Sequence, residues 1–221
     1  MAPAARRNPT VAYVAPFLIY VLMFAIPLRP EVLHPIRFVI VLAVIVLVSW
    51  PFLSLKPSHT LGSIGIGVAV FLIWIAPDLL FGYRHHWLFE NALLGKATSS
   101  LAPALRHDYF FLTIRVLSSM ALVPILEELF WRGWLMRWLI NNRDFLKVPL
   151  GTYQAAAFWI VAVLFASEHG VYWEVGLLAG IVYNWWIIHT KNLADCILAH
   201  AITNGILAVY VLSSGQWQYW L

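Results

Sequence analysis

Long apolar runs constrain this sequence more than any other feature. Seven runs come close to or exceed the roughly 20 residues that an α-helix needs to cross a bilayer core. They cover residues 11–28, 36–53, 61–80, 109–140, 153–169, 173–189 and 193–212. Lipid offers the backbone no hydrogen-bond partners, so we expect each run to be helical. The sequence therefore predicts an all-α, polytopic integral membrane bundle with seven transmembrane helices, or eight as the alternative.

The stretch between the third and fourth runs decides whether the chain has seven or eight transmembrane helices. Residues 82–108 mix apolar, basic and small polar side chains, and they are amphipathic rather than continuously apolar. That composition favours a helix lying in the membrane interface. A short re-entrant segment is the other interpretation.

Composition supports membrane residence and excludes several other classes. The chain is 62% hydrophobic and only 11% charged, whereas soluble domains carry about 25% charged residues. The net charge of +4 is modest and spread over many loops, which suits anionic headgroups rather than nucleic acid. Cys196 is the only cysteine, so the chain has no disulfide framework and no cysteine-based metal site. We expect a single transmembrane domain over residues 1–221, with N-terminal helices in residues 1–108.

The positive charges between the runs give a weak orientation signal. With the N-terminus inside, the cytoplasmic side receives seven Lys and Arg residues: Arg6, Arg7, Lys56, Arg137, Arg143, Lys147 and Lys191. The opposite side receives five: Arg29, Arg37, Arg84, Lys96 and Arg106. No small-residue cleavage site follows the first run, so we expect residues 11–28 to be a retained span. The prediction is an integral membrane protein with its N-terminus in the cytoplasm.

The fourth run carries charges at a depth where lipid disfavours them. The stretch "ILEELFWRGWLMRWL" places Glu127, Glu128 and Arg132 close together near its middle. Glu128 and Arg132 are four residues apart, so they share a helix face and can form an ion pair. Glu127 lies about 100° around the helix and has no partner on it. A structural ion pair explains the first two residues but not Glu127, and intramembrane ionisable groups usually mark a working site.

Two later runs contain further polar side chains at membrane depth. "LFASEHG" ends the fifth run with His169, and "LAHAITNG" places His200 and Asn204 one helical turn apart in the seventh. A carboxylate can take a proton from water, and imidazole and carboxamide groups can orient that water or stabilise an oxyanion. This set is sufficient for hydrolysis of an amide by activated water. The HExxH and GxSxG signatures of zinc and serine hydrolases are absent from the sequence.

Three motifs in this order carry a family resemblance. "EELFWR" fits EExxxR, "FASEH" fits FxxxH and "HAITN" fits HxxxN. The chain resembles the CPBP family of type II CAAX prenyl endopeptidases and bacteriocin-processing or self-immunity (Abi) proteins. The resemblance implies a catalytic core over residues 109–212, supported by a Glu128–Arg132 ion pair. The longer string "EELFWRGWLMRWL" is also similar to the CAAX protease-related proteins of exosortase and PEP-CTERM sorting systems, which implies the inner (cytoplasmic) membrane of a bacterium.

The resemblance also implies roles for individual residues. Glu127 would be the general base, His169 would help to hold the attacking water, and His200 and Asn204 would stabilise the oxyanion. Glu127, His169 and His200 would also be an adequate ligand set for a divalent metal such as zinc. Metal-dependent and metal-independent hydrolysis both stay open at this point.

The expected activity is endoproteolysis within the membrane. The substrate would be a membrane-associated peptide or protein, either lipidated or carrying a C-terminal sorting tag, and membrane lipid would be the other partner. Two alternatives use the same polar residues: a membrane acyl or lipid hydrolase, and a non-catalytic immunity or scaffold protein. A proton-coupled transporter would show inverted repeats, and the sequence has no internal repeat.

Overall fold

Seven helices account for most of the chain in the computed structural model, which describes residues 8–99 and 101–220. They are α1 (Pro9–Leu22), α2 (Pro30–Val44), α3 (Thr60–Phe81), α4 (Tyr109–Trp138), α5 (Ala155–Ser167), α6 (Trp173–Thr190) and α7 (Leu193–Ser214). Each of the seven predicted runs overlaps one of these helices. The described residues form no β-strand. The prediction of an all-α polytopic membrane bundle is confirmed.

The helices differ in whether they are long enough to cross a bilayer. Five segments are long and apolar enough: Pro30–Phe52, Thr60–Phe81, Tyr109–Trp138, Gly170–Thr190 and Leu193–Ser214. Two further apolar segments, Pro9–Ala25 and Ala155–Ser167, are shorter. At 13 residues, α5 is about 20 Å long, well below a hydrocarbon core of about 30 Å.

The expected interfacial helix between α3 and α4 is not formed. Described residues there contain only two short 3₁₀ turns, Tyr83–His85 and Pro103–His107, so the eighth helix is absent from them as well. Gly82 and Gly95 both adopt positive φ, at 59° and 84°, a conformation that breaks a helix. The Asn91 side chain also accepts hydrogen bonds from two following backbone amides, which favours a turn over a helix.

Some of the charges used for the orientation prediction are not in loops. Arg37 and Arg137 are 3% and 7% exposed and lie within α2 and α4. Arg6 and Arg7 lie outside the described residues. A buried arginine reports packing rather than the side of the membrane, so the orientation stays a prediction.

Two π-helical segments interrupt α4 on either side of the glutamate pair. They are Ser118–Leu122 and Leu129–Leu135, and the α-helical turn between them is Val123–Glu128. A π-turn has one more residue than an α-turn, so each segment changes the direction of the side chains that follow it. Such segments are frequent at functional sites.

The remaining helices and the last segment close around this part of α4. On α6, Gly180 brings the helix against α5, since a Cβ there would lie 3.2 Å from the Ala162 Cα atom. The segment after α7 turns back over the bundle. Tyr219 donates a hydrogen bond to Asp78 at 2.9 Å, and Arg115 donates to the Trp220 carbonyl at 3.1 Å. These contacts fix the Trp220 ring over the interior of the bundle.

Candidate active site

A buried ion pair forms the base of the site. Arg132 donates to Glu128 at 3.1 Å, and the two residues are 1% and 0% exposed. The guanidinium also donates to the Asn184 carboxamide at 2.9 Å and to the Gly180 carbonyl at 3.3 Å. The pairing suggested by the i, i+4 spacing is therefore present, and α6 contributes two further acceptors. These partners offset much of the cost of burying two charges.

His200 lies within hydrogen-bond distance of the same Glu128 carboxylate. Its Nδ1 atom lies 3.0 Å from Glu128 Oε1, and its ring stacks on Tyr183 with centroids 5.2 Å apart. Glu128 therefore links α4 to α7 as well as to Arg132. A carboxylate on Nδ1 fixes the orientation of an imidazole and leaves Nε2 for a ligand.

His169 is oriented in a different way. The helix α5 ends at Ser167, and the His169 Nδ1 atom lies 2.8 Å from the Phe165 carbonyl oxygen. A carbonyl only accepts hydrogen bonds, so Nδ1 carries the proton and Nε2 has a free lone pair. The ring is held from α6 as well, because a Cβ on Gly176 would lie 3.0 Å from it.

Asn204 uses part of its hydrogen-bonding capacity on the protein. Its Nδ2 atom donates to the Ser119 carbonyl at 2.8 Å, inside the first π-segment of α4. A carboxamide has two N–H donors, so one remains for a second acceptor. The π-segment thus contributes directly to the position of Asn204.

Glu127 and Glu128 each have a buried Oε2 atom without a hydrogen-bond partner in the described residues, but Glu128 is held through Oε1 by Arg132 and His200. The Glu127 side chain lines a cavity of about 150 Å³ together with His169, His200 and Asn204. All four residues that sequence reasoning singled out for catalysis therefore surround one space, large enough for several water molecules.

The shared cavity explains how His169 reaches the depth of Glu127. Glu127 is in the middle part of α4 (Tyr109–Trp138), and a full-length fifth helix would carry His169 far from that level. Because α5 has only 13 residues, its C-terminal end stops beside the middle of α4. The left-handed Gly170, with φ of 51°, then starts the turn into α6.

Apolar and aromatic side chains form the rest of the cavity wall, and sequence reasoning did not select them. The lining includes Val70, Trp74, Val123, Phe165, Tyr183, Leu207 and Trp220. Their positions follow from tertiary packing, and no local motif marks them. This part of the wall is mostly apolar.

The possible metal ligands do not form a metal site in this arrangement. The described residues contain no group of three or more His, Cys, Asp or Glu side chains placed to hold a metal ion. Glu127, His169 and His200 border the same cavity, but their positions do not fit a zinc ligand set. We therefore derive no catalytic step through a metal.

The fold and the site together define a helical membrane bundle with a buried cavity that is lined by carboxylate, imidazole and carboxamide groups. Residues 109–206 match the family model described as "Type II CAAX prenyl endopeptidase Rce1-like". This match confirms the resemblance to the CAAX protease (CPBP) family that the three motifs carry. The match covers a little under half of the chain and contains Glu127, Glu128, Arg132, His169, His200 and Asn204. No curated protein and no solved structure matches the chain.

The contact between Gly176 and His169 gives a test of site geometry. The Gly176→Ala variant places a methyl group 3.0 Å from the His169 ring. Either the ring or α6 must shift by a few tenths of an ångström, which disturbs the position of Nε2. We expect hydrolysis of a membrane peptide to fall about tenfold or more, measured as kcat/KM, with a small change in thermal stability.

Gly65→Ala provides the matched control. Gly65 is also a glycine in a membrane helix, but a Cβ there has nothing within 4 Å. This variant is expected to keep full activity and to gain up to about 1 kcal/mol in stability. Equal activity of both variants would show that the His169 position is unimportant.

Proposed function

We propose that the protein is an intramembrane endopeptidase that hydrolyses a peptide bond with a water molecule activated by Glu127. The observation that carries the proposal is the cavity that Glu127, His169, His200 and Asn204 line together, with Glu127 Oε2 buried and without a hydrogen-bond partner in the described residues. The family match of residues 109–206 supports peptide hydrolysis over other reactions. The substrate is a membrane-associated or C-terminally tagged peptide whose apolar side chains fit the aromatic wall.

The first step uses Glu127 and His169 together. A water molecule donates one hydrogen bond to the Glu127 carboxylate and the other to His169 Nε2, whose tautomer is set by the Phe165 carbonyl. The water oxygen attacks the carbonyl carbon while its proton passes to Glu127. The second O–H stays on the tetrahedral carbon.

The second step breaks the C–N bond. The oxyanion accepts a hydrogen bond from the second N–H of Asn204 and lies beside the His200 imidazole, which Glu128 holds in place. The proton on Glu127 then passes to the leaving nitrogen. The products are a carboxylic acid and an amine, and Glu127 returns to its ionised form.

The test is an assay that separates peptide from lipid chemistry. Purified protein is reconstituted in phospholipid vesicles with a set of membrane-anchored peptides, some prenylated and some with a transmembrane C-terminal tag. We expect peptide fragments by mass spectrometry, no release of fatty acid, and unchanged turnover after incubation with a chelator. Added zinc should not increase the rate.

Each other outcome identifies a rival function. Fatty acid release without peptide fragments would identify a lipid hydrolase that uses the same water. Absence of both products across the peptide set, with a correctly folded protein, would favour the non-catalytic scaffold. Loss of activity on chelation and recovery with zinc would replace the metal-independent mechanism.

A further inference from the structure

A second cavity lies on the N-terminal side of the bundle, away from the candidate active site. Its volume is about 500 Å³, and it lies between the end of α1, the start of α2, the start of α4 and residues 101–105. Its charged lining residues are Arg29, Glu31, Arg37 and Arg115. Arg29 and Glu31 pair with each other at the rim, whereas Arg37 is buried.

Arg37 is the centre of this cavity. It is only 3% exposed, and its Nη1 atom is buried with no hydrogen-bond partner in the described residues. The guanidinium stacks over the rings of Phe24 at 4.0 Å and Tyr20 at 4.6 Å. None of its contacts within the described part of the chain is with a carboxylate. Aromatic faces attract a cation, but they do not satisfy an N–H donor.

Within the described residues, His34 is the one side-chain acceptor that Arg37 contacts, and Arg115 contacts it too. The Arg37 Nη2 atom lies 3.2 Å from His34 Nδ1, and Arg115 Nη1 lies 3.3 Å from His34 Nε2. A guanidinium only donates hydrogen bonds, and a neutral imidazole has a single acceptor nitrogen. Arg37 therefore shares this acceptor with Arg115, and its buried Nη1 donor has no acceptor in the described residues.

An anion in the cavity would supply Arg37 with a hydrogen-bond acceptor and a compensating negative charge. An unpaired charge buried in a membrane protein is costly, and a phosphate offers several oxygens to neighbouring guanidinium groups at once. The Glu31 carboxylate cannot take this place, because it is paired with Arg29 at the rim.

We propose that this cavity binds the phosphate of an anionic phospholipid. Arg37 and Arg115 lie seven and six residues from the starts of α2 and α4, so both are about 10 Å below the helix ends. That depth lies near the boundary between headgroups and acyl chains, and basic pockets between membrane helices bind anionic headgroups. The volume of about 500 Å³ suits a small polar headgroup.

Neighbouring side chains fit the rest of a lipid. Arg29 is 83% exposed at the mouth of the cavity, where it can contact a headgroup. Phe24 and Leu28 also line the cavity and are 61% and 47% exposed, which leaves an apolar surface for an acyl chain. The site is independent of peptide hydrolysis, so it can be tested without an activity assay.

The experiment measures lipid-dependent stability of the full-length protein. Wild-type protein in a neutral detergent is titrated with dioleoylphosphatidylglycerol or dioleoylphosphatidylcholine, and the melting temperature is followed by intrinsic tryptophan fluorescence. Native mass spectrometry counts the lipids that stay bound. We expect the anionic lipid to raise the melting temperature at concentrations at least tenfold lower than the zwitterionic lipid requires.

Variants assign the effect to the arginine cluster. Arg37→Gln is expected to weaken binding of the anionic lipid about tenfold, which corresponds to about 1.4 kcal/mol of binding free energy. Arg37→Lys is expected to keep part of this binding. Arg143→Gln removes an exposed arginine from a distant loop and should behave like the wild type. The preference of the wild type does not depend on whether the Arg37 variants fold.

Three results would overturn the proposal. The first is equal stabilisation of the wild type by the two lipids. The second is an unchanged preference for the anionic lipid in a folded Arg37→Gln variant. The third is stabilisation by a soluble peptide with a free C-terminal carboxylate but not by the anionic lipid, because the cavity would then bind the end of a peptide chain.

Discussion

Replacing Glu127 by Gln is expected to lower kcat for peptide hydrolysis about 10²- to 10⁴-fold, the range typical of a lost general base. Gln has nearly the volume of Glu, so the cavity keeps its shape. The amide, however, cannot accept a proton from the attacking water. Glu127 Oε2 has no partner in the described residues, so the substitution breaks no known hydrogen bond at that atom. The measurement is single-turnover cleavage of a membrane peptide by protein in vesicles.

Asp144→Asn is the control for a change from acid to amide. Asp144 lies in the loop after α4 and forms a partly exposed ion pair with Lys147 at 3.4 Å, so its loss should leave turnover unchanged. Both variants should melt within a few degrees of the wild type. Equal turnover by the wild type and a folded Glu127→Gln variant would remove the general base from the mechanism and leave the cavity without a known role.

Sequence reasoning succeeded where the physical signal is local. The Glu128–Arg132 contact follows from i, i+4 spacing on one helix. The helical bundle follows from the length of the apolar runs. The contact between His200 and Glu128 joins residues 72 positions apart, and no periodicity predicts which helix faces which. The assembly of the four site residues around one cavity was expected from the family motifs and not from spacing alone.

Two π-helical segments that position the site cannot be predicted from the hydropathy of the sequence. The π-segments Ser118–Leu122 and Leu129–Leu135 consist of the same residue types as ordinary membrane helix. Apolar composition determines that a segment is helical, but not how many residues each turn contains.

The prediction of an interfacial helix was wrong because residues that interrupt helices were given too little weight. Residues 82–108 are amphipathic in composition, but Gly82, Gly95 and Pro103 interrupt any long helical stretch. The described residues there fold into turns instead. The aromatic cavity wall could not be predicted either. Trp74 and Trp220 belong to no motif, and only tertiary packing brings them together.

Removal of Arg132 is expected to destabilise the fold more than any other single substitution in the site. Arg132→Met leaves Glu128 buried without its guanidinium partner and leaves the Asn184 and Gly180 oxygens without their donor. Breaking one side of a buried pair costs about 3–5 kcal/mol. For a chain of this length that corresponds to a loss of about 10 °C in melting temperature. Thermal unfolding in detergent, followed by tryptophan fluorescence, measures it.

A double variant separates the effect of the unpaired charge from that of lost packing. In Glu128→Gln/Arg132→Met the buried carboxylate is neutral, so the variant should melt above Arg132→Met, although it lacks both charges. Arg143→Met, at an exposed loop position, should melt within about 2 °C of the wild type. If Arg132→Met also stayed within that range, the ion pair would contribute nothing to the fold. Its burial at 1% exposure would then have to be explained by the orientation of Glu128 and His200 alone.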